Sequence, residues 1–144
     1  MRDTGSSTPD NRSSSTCSCS KPPPADWRPS AFDHERLDAF IVARDALALG
    51  DRLARRLPRG YATLADQLRR ALLSAYLGVA EASSRTGADR LARFRCARGE
   101  AAEAAAALDA VLVLGLADPP TVNVVVDLLR RLAAMLTRLA KLSP

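Results

Sequence analysis

The sequence predicts an all-α protein, an antiparallel up-down-up-down four-helix bundle behind a disordered N-terminal tail. Three observations carry this. Alanine, leucine and arginine dominate while aromatics make up only 4% of the chain, which favours helices over sheets. From Ala31 onward apolar residues recur at helical spacing in four long segments. The connections between those segments are short, which makes successive helices antiparallel neighbours.

Residues 1–30 ("MRDTGSSTPDNRSSSTCSCSKPPPADWRPS") are rich in Ser, Thr and Pro and poor in aliphatics. Burial there cannot offset the entropy of ordering, so this stretch reads as a disordered tail. Trp27 either docks on the edge of the domain or lies exposed. The bundle proper is expected over 31–144. Its first helix runs from about Phe32 to Leu57 with Leu37, Phe40, Ile41, Leu47, Leu53 and Leu57 inward. "PRGY" then breaks the chain, because Pro58 and Gly60 both oppose helix continuation. The second helix runs from about Tyr61 to Ala82 and ends at "SSRTG". The third spans about Ala88 to Leu114, with Phe94, Ala97, Ala101, Ala105, Leu108 and Leu112 inward and Gly115 as the residue that ends it. Asp118 caps the fourth, Pro119 suits its first turn, and the helix continues to about Leu142.

A chain of 144 residues fits one domain and buries about 70% of its unfolded surface. The net charge of +5 comes mostly from arginine. It permits a polyanionic partner such as RNA or DNA, or else reflects a genome that fills helix surfaces with Ala and Arg. No stretch approaches the ~18 uncharged apolar residues that a membrane span needs. No signal peptide is visible, and a cytoplasmic location with reduced thiols is expected. Cys17 and Cys19 lack further Cys or His at ligand spacing, so no metal site is expected there. Cys96 reads as a small apolar filler near the buried side of the third helix.

The outer faces carry more apolar surface than one core uses. On the fourth helix Val122, Val124, Val125, Val126, Leu128, Leu129, Leu132, Met135, Leu136, Leu139 and Leu142 cover an arc of about 200°, against the ~100° or a little more that a core-facing helix requires. On the second, Leu64, Leu68, Ala71, Leu72, Ala75, Gly78, Val79 and Ala82 form an inward stripe that lets a neighbour approach closely. Opposite them lie Arg69, Arg70, Leu73, Tyr76 and Leu77, the composition of an interface. Those five residues with Val124, Leu128 and Met135 are the candidate oligomer contacts; the alternative is a somewhat greasy monomer surface.

Catalytic machinery is not visible. His34, the only histidine, reads as a capping or surface residue at a helix start. No HExxH, P-loop, GxGxxG or GxSxG occurs. Glu81, Glu100 and Glu103 suggest a carboxylate cluster, but a di-iron site needs Glu-x-x-His twice and one histidine cannot supply it. A non-enzyme without cofactors is expected. Asp51–Arg55, Asp66–Arg70, Asp89–Arg93 and Asp127–Arg131 are expected i,i+4 pairs. Arg69, Arg70, Arg85, Arg90, Arg95, Arg98, Arg138 and Lys141 are the candidate nucleic-acid contacts, several of them gathered at one end of an antiparallel bundle.

"LADQLRRALLS" (64–74), "GVAEASSR" (78–85) and "FRCARGEAAE" (94–103) resemble the four-helix bundle proteins encoded in intervening sequences of 23S rRNA genes. The matching positions are Asp66, Gln67, Leu68, Arg69, Arg70, Ala71, Ser74, Ala80, Glu81, Arg85, Phe94, Ala97, Gly99 and Glu103, and "LGLADP" (114–119) resembles the family's loop before its last helix. The resemblance covers 31–142. The chain departs from the pattern at Gly78 (usually Asn), Ala82 (Gly), Tyr76 (Pro) and Glu100 (Ser). The resemblance implies homopentameric rings. It also implies kinship with the accessory variability proteins of diversity-generating retroelements, hence nucleic acid and a reverse transcriptase as partners.

Overall fold

The computed structural model describes residues 32–142, so the expected tail, with Trp27, Cys17 and Cys19, lies outside the described residues. A single 3-10 turn, Asp33–Arg36, precedes four helices: α1 (Asp38–Ala54), α2 (Ala62–Ser83), α3 (Gly87–Val113) and α4 (Pro119–Leu142). A second short 3-10 turn, Arg59–Tyr61, links α1 to α2. Each helix packs on its neighbours in sequence, and α1 closes the square against α4. Among the described residues neither diagonal pair is in contact. This is the up-down-up-down bundle that the sequence predicts.

Local chemistry sets the ends. α3 stops in a Schellman turn: Leu116 N–H donates to Val111 O at 3.0 Å and Gly115 N–H to Leu112 O at 3.0 Å. Gly115 takes φ +66°, where a side chain would be strained. Asp118 caps α4 by accepting from the Thr121 N–H at 3.0 Å and the Thr121 hydroxyl at 2.7 Å, which leaves Pro119 in the first turn as expected.

The first helix is shorter than its sequence pattern. Leu37 is extended (φ −91°, ψ 121°) and separates the 3-10 turn from α1. A run of rings holds this arrangement. His34 lies 5.5 Å from Phe32 and 4.5 Å from Phe40, and Phe40 stacks on Tyr76 of α2 at 4.7 Å. Helix propensity yields here to an aromatic contact between elements. At the other end α1 stops at Ala54, and Leu57 packs half-buried from the turn beyond.

The core follows a seven-residue rhythm. Buried positions alternate at spacings of three and four: Leu68, Leu72, Ala75, Val79 and Ala82 on α2; Phe94, Ala97, Ala101, Ala104, Leu108 and Val111 on α3; Val122, Val125, Leu129, Leu132 and Leu136 on α4. A bundle holding a 3.5-residue repeat drifts ~20° per heptad from a straight 3.6-residue helix. That drift explains the correction on α3; the one on α1 is a face misassigned outright. Ala104 and Val111 are buried on α3, while the expected Ala105 and Leu112 are only half-buried. On α1, Val42, Ala43, Ala46 and Gly50 face inward, and the expected Ile41 is 41% exposed.

Candidate functional site

α2 presents a ridge. With Leu68, Leu72, Ala75 and Val79 inward, helical spacing puts Asp66, Arg70, Leu73 and Leu77 on the opposite side. Leu73 and Leu77 are 47% and 53% exposed. Tyr76, expected beside them, is half-buried and turned onto Phe40. The two arginines are also committed within the chain. Arg69 Nε donates to Asp51 Oδ1 at 3.1 Å, and its Nη1 lies 3.6 Å from Asp66. Arg70 Nη2 donates to Glu103 Oε1 at 3.2 Å, and Gln67 donates to the same oxygen. The expected Asp66–Arg70 pair does not form, because carboxylates on α1 and α3 lie in the grooves toward which these side chains lean. The expected Asp51–Arg55 pair does form, at 2.7 Å. The Arg55 guanidinium, with Arg69 nearby, holds the Asp51 carboxyl below the ordinary aspartate range.

Across the bundle, α1 and α4 frame a shallow, open groove of about 700 Å³. Ala48 and Leu49 with Val124 and Leu128 give it an apolar floor, and Asp45, Arg52, Asp127 and Arg131 stand around its rim. Val124 is 54% exposed, whereas Val126, Leu128, Met135 and Leu139 are half-buried against the core. The wide apolar arc expected on α4 is therefore largely used within the chain. What remains open is concentrated at Val124 and along its groove. The α1 side of this groove escapes a reading of the sequence, since Leu49 and Ala48 resemble filler between charged residues. Asp45, Ala48, Leu49 and Arg52 fall on one side of α1 at helical spacing, which is the signal that could have found it.

The basic candidates divide into two sets. Arg85 is held by Asp89 and Glu81, which raise its pKa further above the ordinary arginine value, Asp89 contributing most. Arg93 Nη2 donates to Glu81 Oε1 at 2.7 Å, so the expected Asp89–Arg93 pair is replaced. Asp127 pairs with Arg130 at 3.0 Å in place of Arg131. The guanidinium of Arg90 sits 5.4 Å from the Phe94 ring centroid with its Nε buried. Arg95, Arg98, Arg138 and Lys141 are exposed, and among the described residues no carboxylate lies within ion-pair distance of them. Arg98 Nη1 donates to Thr137 Oγ1 at 3.3 Å, which joins the α3 members of this set to the α4 members across one seam.

Little points to chemistry at a single centre. Glu81 and Glu103 are occupied by guanidinium and amide donors, and among the described residues no group of three or more His, Cys, Asp or Glu could hold a metal ion. His34 is half-buried between rings. Cys96 is exposed, contrary to expectation, because Phe94 and Ala97 take the inward positions around it. It lines a shallow α2–α3 cleft with Leu77, Gly78 and Glu100. At Gly78 the helices nearly touch: a Cβ would stand 3.0 Å from the Ala97 Cβ. Any side chain there would require the neighbouring Ala97 to yield by a few tenths of an ångström.

No protein-family model and no curated protein sequence matches this chain. Among the described residues no helix is long and apolar enough to cross a membrane.

Proposed function

We propose that the chain is a non-catalytic, self-assembling four-helix bundle that presents arginines to RNA or another polyanion. One observation carries the reading: among the described residues the bundle leaves several apolar side chains uncovered, among them the Leu73–Leu77 ridge on α2 and the Val124 groove between α1 and α4. Contiguous exposed apolar surface on a small domain marks an association site. A pentamer is the assembly that the resemblance to the intervening-sequence proteins implies. Light scattering on the full chain is expected to give a mass several times the 15.4 kDa of one copy. Leu73→Glu with Leu77→Glu should lower it to that of one copy, and a wild-type chain already at 15.4 kDa would remove the reading.

The polyanion part rests on Arg95, Arg98, Arg138 and Lys141, whose charges are not neutralised by described neighbours. Repetition around an assembly would multiply a weak single-copy contact. Binding to generic single-stranded RNA should weaken steeply with salt, with a slope of about −0.7 per phosphate contact. Replacing the four residues by alanine should flatten that slope. Absence of binding at low salt favours a second reading, a protein-binding scaffold whose partner is another polypeptide such as a reverse transcriptase. One observation already leans that way: Arg69, Arg70 and Arg85 spend their charge inside the chain.

A further inference from the structure

We infer that the ridge and the groove are the two halves of one contact, so that α2 of each copy seats in the α1–α4 groove of the next. The inference rests on the self-assembly proposed above and names the surfaces that meet. Shape is the first argument. Leu73 and Leu77 stand one turn apart on the convex outer side of α2, and the α1–α4 seam offers a shallow, open trough with an apolar floor. Groove against groove would leave both floors empty. Ridge against ridge would cover four leucines and leave Val124 in water on both copies.

Charge is the second argument. On the ridge, Arg70 lies one turn and Asp66 two turns before Leu73. In the groove, Asp45 lies one turn before Leu49 on α1, and Arg131 is the base on the antiparallel α4 at that same end. An incoming α2 that runs parallel to α1 places its leucines over Leu49, Val124 and Leu128. The same orientation brings Arg70 to Asp45 and Asp66 to Arg131. Arg70 can serve both Glu103 of its own chain and the new carboxylate, since a guanidinium has five N–H donors. The contact then strands none of these four charges. Because the two halves differ and lie on different sides of the bundle, each copy uses both. Such head-to-tail joining closes into a ring when the rotation between copies permits.

The test is complementation between two full-length variants. One carries Leu73→Glu and Leu77→Glu and keeps its groove. The other carries Ala48→Glu and Val124→Glu and keeps its ridge. All four positions are exposed, so the fold should survive, and circular dichroism of each variant checks that it does. Each alone is expected to run as a single copy, and an equimolar mixture should form a pair of twice the 15.4 kDa mass. A mixture that stays at single-copy mass while the wild type assembles overturns the ridge-in-groove contact and leaves self-assembly standing. A wild type of single-copy mass removes both. As a second readout, Leu77→Cys on one chain and Val124→Cys on the other, with Cys17, Cys19 and Cys96 replaced by serine, should form a disulfide between unlike chains. Disulfides forming only between like chains would equally overturn the contact.

Discussion

Replacing Phe94 by alanine is expected to lower the unfolding free energy by about 3–5 kcal/mol, the range for a large aromatic removed from a packed interior. Phe94 is fully buried and is the largest such side chain among the described residues. Much of the rest of the α2–α3 seam is alanine, which has no reach with which to refill the space. The Arg90 guanidinium above the ring would also lose its partner face while its Nε stays buried. Domains of this kind hold only about 5–15 kcal/mol in total, so the change removes a large share. Urea unfolding at one fixed protein concentration measures it, since association would otherwise add to the apparent stability. A loss below about 1 kcal/mol with an unchanged denaturant slope would mean that the bundle is not packed around this ring.

Gly78→Leu is expected to cost at least the ~1–3 kcal/mol typical of an overfilled core. The obstacle is Ala97, whose Cβ would stand 3.0 Å from the new Cβ and whose Cα would stand at 3.5 Å. Neither atom belongs to a flexible side-chain end, so relief requires α2 and α3 to separate. That movement would strain the tertiary ties across the seam, including Arg70–Glu103 and Arg93–Glu81. Adding Ala97→Gly should return part of the loss, and the coupling in a double-mutant cycle should exceed about 0.5 kcal/mol. Gly78→Ala is the finer probe, because the ~1 kcal/mol that alanine gains over glycine in a helix interior competes with the same contact. Additive costs for Gly78→Leu and Ala97→Gly would show that the helices do not meet there.

The legible parts of this protein are those that depend on a few neighbouring residues. Gly115 ends α3 and Asp118 with Pro119 opens α4 because a glycine at positive φ and a capping carboxylate act over one turn. The inward stripe of α2 is also read correctly, as is the exposure of Leu73 and Leu77. The ion pairs are read less well. Asp51–Arg55 forms as spacing suggests, but Arg70 turns to Glu103, Arg93 to Glu81, and Asp127 takes Arg130 instead of Arg131. An i,i+4 partner offers a few tenths of a kcal/mol, and a carboxylate from an adjacent helix in a half-buried groove outcompetes it. Cys96 and Ile41 are misplaced for different reasons: Cys96 lies at the edge of the α3 stripe, where a small rotation of the helix moves it to the surface, while Ile41 sits on the side of α1 opposite Ala39, Ala43, Ala46 and Gly50.

By itself the sequence determined the number of helices, most of their ends and their antiparallel order, since periodicity, caps and short connections are properties of one segment at a time. Only the tertiary structure decided which arginines keep their charge free, that most of the α4 apolar arc is covered while Val124 is not, and that α1 and α4 frame a groove opposite the α2 ridge. Those features depend on the rotation of each helix against two others. No single segment records how its neighbours are turned, so the side chains at the seams are assigned only by the assembled bundle.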